Sequence, residues 1–278
     1  VLHCRSGLTL TVLYVADEGQ FIRTAGPNRM SMVPPRSIGR NDHGPATSVH
    51  GDQDVFGTPI RQLMGGEAPT LFRHDSPGVH NDEPSLMLVN LWIPLQQITQ
   101  PLVLADGRSI DRRSHQLRYG LATDSFLERE DDAAINDIWM FLHDPDQRWF
   151  FRSEMDHRSA YVFNTLSTPH GAGVLPGESL AERCFRALEA GEAAAERGDA
   201  DGLVDALADI DETRAPDEAT PALRRAIEGM LALADEARSD PEAVCSPRSQ
   251  DWVASSQAAR RSVVRRSLEL RVVVSVDR

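Results

Sequence analysis

The chain has 278 residues, 41% apolar and 26% charged, a composition that supports one large packed core or one core with an appendage. Its net charge of -13 argues against a general nucleic-acid or anionic-membrane surface, both of which need basic patches. All 29 basic residues are arginine, which excludes a lysine Schiff base or lysine general base. Three widely spaced cysteines, Cys4, Cys184 and Cys245, suggest neither a disulfide framework nor a thiolate zinc site, so a reducing, cytoplasmic setting is expected. No apolar run approaches the ~18 residues of a membrane span. The chain starts at Val1, and some N-terminal sequence is expected to precede it.

In chain order, residues 8–15 alternate and are β-branched, as a strand does. Residues 24–49 are rich in Pro, Gly, Asn, Ser and Arg and read as an irregular approach ending in a short strand at 47–50. Residues 57–84 mix Gly, Pro, Asp and His, which predicts a long loop or a short helix plus loop, a candidate lid. Residues 86–94 form a buried-strand run, and 102–104 a shorter one followed by a turn at 105–107. Aromatic strands are predicted at 136–142, 148–151 and 160–165, the first two separated by a turn at Pro145-Asp146. The pattern then becomes helical at 189–198, 202–213, 221–238 and 250–267, the last with an arginine-rich face. Thr220-Pro221 is a helix start, with proline at the first helical position. Residues 268–276 read as a final strand that rejoins a sheet. The chain thus divides into a β core at 1–188 and a helical C-terminal region at 189–278.

His50-Gly-Asp52 is the first chemical signal. Residues two apart on a strand point to one face, so both side chains can bind one ion. His80-Asn-Asp82 offers the same pair, and about one such pair arises by chance at this composition. The extended segment before His50 favours the first pair; the second is loop-like on both sides. His170 follows an aromatic strand in Thr-Pro-His-Gly and would supply a third ligand; its bland reading is a turn histidine. Two imidazoles and a carboxylate form the facial set of non-haem Fe(II) oxygenases, with open positions for other ligands. Arg183 lies 13 residues beyond His170, a distance that suits a return to a neighbouring barrel strand. A guanidinium there would hold the far carboxylate of 2-oxoglutarate, with Ser179 adding a hydroxyl donor. The competing reading is that 178–198 form one long helix and Arg183 is a helix-surface charge paired with Glu178 or Glu182. Trp139, Trp149, Phe150 and Phe151 read as core.

Several blocks together resemble a known family. They are Val49-His50-Gly-Asp52, Val89-Asn90-Leu-Trp92-Ile-Pro94-Leu95, Pro101-Leu102 with Asp106 and Ser109, Arg148-Trp149-Phe-Phe151 with Met155, Pro169-His170-Gly, and Glu178-Ser179 with Arg183. The pattern is similar to the CmcJ/asaB-like hydroxylase/desaturase family of Fe(II)/2-oxoglutarate-dependent oxygenases. The resemblance implies a mainly β protein with α elements, built on a double-stranded β-helix (jelly-roll or cupin-like) core. It implies iron ligation by His50, Asp52 and His170, and 2-oxoglutarate binding by Arg183 with Ser179 and Asn90. It also implies O2 as oxidant and a small-molecule, natural-product substrate. The short segment between Asn164 and His170 and the long helical region depart from the family pattern. Two other classes fit the same residues: a non-catalytic β-barrel binding protein and a zinc-dependent hydrolase. The apolar stripe Leu223, Ile227, Leu231 and Leu233 would suit a homodimer formed through the C-terminal helices.

Overall fold

The structure is a computed structural model that describes residues 1–4, 7–32, 44, 48–51, 86–95, 100–122, 135–165, 167–246 and 249–277. Its strands are β1 (Leu2–His3), β2 (Thr9–Ala25), β3 (His50–Gly51), β4 (Leu86–Pro94), β5 (Leu102–Ala105), β6 (Gln116–Ala122), β7 (Ile135–Phe141), β8 (Trp149–Phe150), β9 (Tyr161–Asn164), β10 (His170–Ala172) and β11 (Arg265–Asp277). Its helices are α1 (Arg112–His115), α2 (Glu178–Glu196), α3 (Ala200–Ala206), α4 (Pro221–Ser239), α5 (Pro241–Cys245) and α6 (Ser249–Arg261).

The strands form two sheets, ordered β1-β2-β11-β4-β9 and β6-β7-β3-β10-β5-β8. Every pairing among them is antiparallel. The sheets face each other across a small apolar cluster. Trp92 and Phe163 come from the first sheet and Leu102 from the second, with Met155 between them. A second cluster, built on Leu10, Val89, Val272 and Val274, covers the other face of the first sheet. The architecture is therefore mixed antiparallel sheet and helix.

β11 is the central strand of the first sheet, although it comes last in the chain. It pairs with β2 along nearly its whole length and with β4 on its other side. Its first half inverts the usual pattern: Arg265, Ser267, Glu269 and Arg271 are buried, while Arg266 is exposed and Leu268 and Leu270 are half-buried. The polar residues alternate with period two, so they share the inward face. This inversion explains why the sequence reading placed 265–267 in a helix. The strand starts three residues earlier than expected, and α6 ends at Arg261.

The helices build a core of their own. α4 buries Leu223, Ile227, Met230 and Leu231 at i, i+4, i+7 and i+8, one stripe of a helix. α2 and α6 cover that stripe, and Leu188, Leu203, Leu207 and Trp252 complete the cluster. Leu223 and Ile227 are 0% and Leu231 3% exposed, so these three pack inside the chain, while Leu233 is partly buried. α2 runs unbroken from Glu178 to Glu196, so position 188 lies inside a helix. Its entry turn needs Gly177: φ is +96°, and an added Cβ would lie 3.2 Å from Ile227. β6 was not anticipated, and the 57–84 segment lies outside the described residues.

Candidate active site

The geometry starts with two short strands. β3 and β10 are neighbours, and His170 is the direct partner of His50. Directly opposed residues of an antiparallel pair project to the same face. The two imidazoles accordingly stand 4.5 Å apart between ring centres, tilted by 50°. Both are buried, and the Phe163 ring of the opposing sheet lies 4.9 Å from His170. Gly171 allows this approach, because a Cβ there would sit 3.3 Å from the Ser48 carbonyl oxygen.

The rings are held in matching ways. His50 Nδ1 is 2.9 Å from the Ser48 carbonyl oxygen, and His170 Nδ1 is 2.9 Å from that of Thr168. A carbonyl only accepts, so Nδ1 is the donor in each neutral ring and the lone pair resides on Nε2. A backbone carbonyl behind one ring nitrogen is the support that metal-bound histidines typically have, and it sets both tautomer and orientation. The donor set therefore fits a divalent transition metal.

Around the pair lies a cavity with about 20 Å³ of free space, room for roughly one water. Arg23, Trp92, Leu102, Arg265 and Glu269 line it together with the histidines. Arg23 donates from Nε to Glu269 at 2.6 Å. Arg265 is 2% exposed, and burial pushes its guanidinium down to about 10. Glu178, 1% exposed at the start of α2, accepts from the Asn28 N–H at 2.8 Å. Burial still pushes its carboxyl up to about 7, against which Asn28 and the Arg265 charge pull downward.

The expected ligands are placed unequally. His50 and His170 meet. Asp52, His80 and Asp82 lie outside the described residues, and among the described residues no three metal-binding side chains converge. Asn90 sits on β4, two residues from Trp92 and so on the same face, 1% exposed, with no partner for its side-chain oxygen among the described residues.

Arg183 and Ser179 are elsewhere. The segment expected to return to a barrel strand is helix α2, and both residues line a separate cleft of about 340 Å³ with Glu212 and Arg214. The Arg183 side chain is 44% exposed and ion-paired with Glu212. It is thus a helix-surface charge, although its partner is neither Glu178 nor Glu182. Sequence reading missed Arg23, Trp92, Arg265 and Glu269 as cavity residues. For Arg265 and Glu269 the signal is the alternation of polar residues at 265, 267, 269 and 271, read correctly only once β11 is known to be central.

Comparison with known proteins adds a family. Residues 21–186, well over half the chain, match the family model described as YDMC, an oxidoreductase/YMDC permease-like domain. The chain belongs to that family. Despite the family's description, no helix among the described residues is long and apolar enough to cross a membrane. No curated protein sequence matches this chain. Among solved structures it is similar to a variant of the iron and alpha-ketoglutarate-dependent endoperoxidase NvfI, with a TM-score of 0.42 and 12% identity over 95% of this chain. A second structure of that enzyme gives 0.43 and 13% over 96%. In both cases the chain spans 62% of the longer enzyme.

Proposed function

We propose that this oxidoreductase-family protein is an Fe(II)/2-oxoglutarate-dependent oxygenase of the CmcJ/asaB type. In this reading the two sheets are a double-stranded β-helix, and the substrate is a small natural-product-like molecule that is hydroxylated or desaturated in the cytoplasm. The observation that carries the reading is the buried His50/His170 pair on adjacent strands, each ring fixed through Nδ1 by a backbone carbonyl. Asp52, two residues after His50, is the carboxylate that would complete the ligand set. Bound Fe(II), 2-oxoglutarate and O2 supply the oxidising power for C–H cleavage.

The chain's own residues do the rest. The Ser48 and Thr168 carbonyls orient the imidazoles before any ion arrives, which lowers the reorganisation needed on binding. Phe163, Trp92 and Leu102 enclose the pair with apolar surface, which limits access of bulk water. Equilibrium dialysis tests the donor set. The wild type should bind Fe(II) in a one-to-one ratio, and His50→Ala and His170→Ala should each lose it. Retention of iron by both variants overturns the ligand set. Hydrolysis indifferent to O2 and 2-oxoglutarate would replace the oxygenase with a zinc hydrolase.

A further inference from the structure

Backbone strain in this chain gathers where the helices dock on the sheets. Among the described residues, three that are not glycine adopt a left-handed backbone: Asn28, Arg29 and Glu154. Asn28 reaches α2, its N–H donating to Glu178 at 2.8 Å and its side-chain amide to Glu182 at 2.9 Å. Asparagine enters that conformation at little cost. Glu154, between β8 and β9 with φ of +59°, has no such ease. A strained residue of this kind persists only where its surroundings hold it.

Glu154 is held by the start of α4. The first N–H groups of a helix have no partner within it, and Pro221 brings none. Thr220 stands at the cap position, yet its side chain makes no capping bond. Glu154 supplies the cap from 68 residues away: it accepts the Ala222 N–H at 2.7 Å, and its other carboxylate oxygen lies 3.1 Å from Arg225. A carboxylate at a helix start is also favoured by the helix dipole. α4 is a firm anchor, because Leu223, Ile227 and Met230 are locked in the helical core.

The other end of this tie is the candidate active site. The next residue, Met155, is buried and packs with Trp92, Leu102 and Phe163. Two residues before Glu154, the Arg152 N–H donates to the Tyr161 hydroxyl at 2.5 Å, and the Tyr161 ring lies 5.6 Å from Trp92. Phe163 carries the ring that lies 4.9 Å from His170. Continuous packing thus runs from the first turn of α4 through Glu154 and Met155 to one imidazole of the histidine pair. A close-packed interior passes displacement along such a path.

We propose that Glu154 is a positioning residue: tied to the start of α4, it holds Met155 against the Trp92–Phe163 wall and so fixes the His170 ring for metal binding. The inference rests on the His50/His170 pair being the metal site, and it gives the helical region a part in setting that site.

Nitrogen-15 NMR of metal-free protein tests the positioning apart from the metal. The four tryptophans give four indole N–H signals, of which Trp92→Phe and Trp252→Phe each assign one. Trp252 donates to the Leu233 carbonyl within the helical region and reports on that region alone. His170→Gln assigns the His170 ring nitrogens. In Glu154→Ala the Trp92 and His170 signals should shift while that of Trp252 stays. Its Fe(II) dissociation constant, from equilibrium dialysis, should rise roughly tenfold, the lower end of what loss of a ligand's outer support costs. Glu154→Gln keeps an oxygen for the Ala222 N–H and should restore both signals and the affinity. Should Glu154→Ala fail to fold, Glu154→Gly carries the test with the same expected direction, since glycine takes the left-handed conformation without strain but offers no acceptor. Unchanged Trp92 and His170 signals overturn the proposal. So does a Trp252 signal that moves with them, which would mean general loosening, or a Glu154→Gln protein that behaves like Glu154→Ala. A wild type that binds no Fe(II) sinks the metal reading, and the ring signals alone then decide whether Glu154 positions the pair.

Discussion

Replacing Glu178 by Gln should alter how stability depends on pH. Glu178 is 1% exposed, and burial pushes its carboxyl from an ordinary 4.5 up to about 7. The folded state therefore favours the protonated form. Its stabilising contribution is complete below pH 4.5 and is lost as pH rises through 7. The gap corresponds to about 3 kcal/mol, at roughly 1.4 kcal/mol per pH unit. Glutamine keeps an oxygen to accept the Asn28 N–H but does not titrate. Urea denaturation of both proteins from pH 4.5 to 8 isolates this group, because shared titrations cancel in the difference. Wild type should lose up to about 3 kcal/mol relative to Glu178→Gln across that window, then run parallel to it. A difference that stays constant with pH would refute the argument, and a difference of opposite slope would mean that Arg265 holds the carboxylate ionised.

Three further outcomes follow from the packing. Leu223→Ala, at a fully buried position in the helical core, should cost about 3–5 kcal/mol in chemical denaturation; a cost below about 1 would mean that the core collapses around the gap. Gly171→Ala should cost about 1–3 kcal/mol and weaken iron binding, because its Cβ would push β10 away from the Ser48 backbone. Arg183→Ala should change stability by less than about 1 kcal/mol, since its ion pair is substantially exposed, and should leave the apparent affinity for 2-oxoglutarate unchanged in a KM measurement.

The sequence showed most where apolar residues follow the period of their element. β4 matched its predicted span, and α4 matched to within one residue, bounded by Thr220-Pro221 before it and Asp240 after it. His50 and His170 were legible because small or turn-forming neighbours set each apart, and the structure pairs them directly. β11 was partly hidden, because its inward positions carry Arg, Ser, Glu and Arg where a core strand usually carries aliphatic residues. The cavity arginine was missed for a related reason. Arg265 lies 95 residues after His170, and only the facing of the two sheets brings the two to one cavity. Spacing pointed instead to Arg183, but the chain winds into α2 at Glu178 and carries that guanidinium to Glu212.

The central claim is that His50 and His170 hold an iron that couples 2-oxoglutarate to O2. Its most direct test is succinate formation by purified protein given Fe(II), 2-oxoglutarate and air, beside the same assay with His170→Ala. Succinate that requires all three additions and disappears in the variant is the predicted result. Absence of iron-dependent succinate in wild type, or equal succinate in the variant, would contradict it.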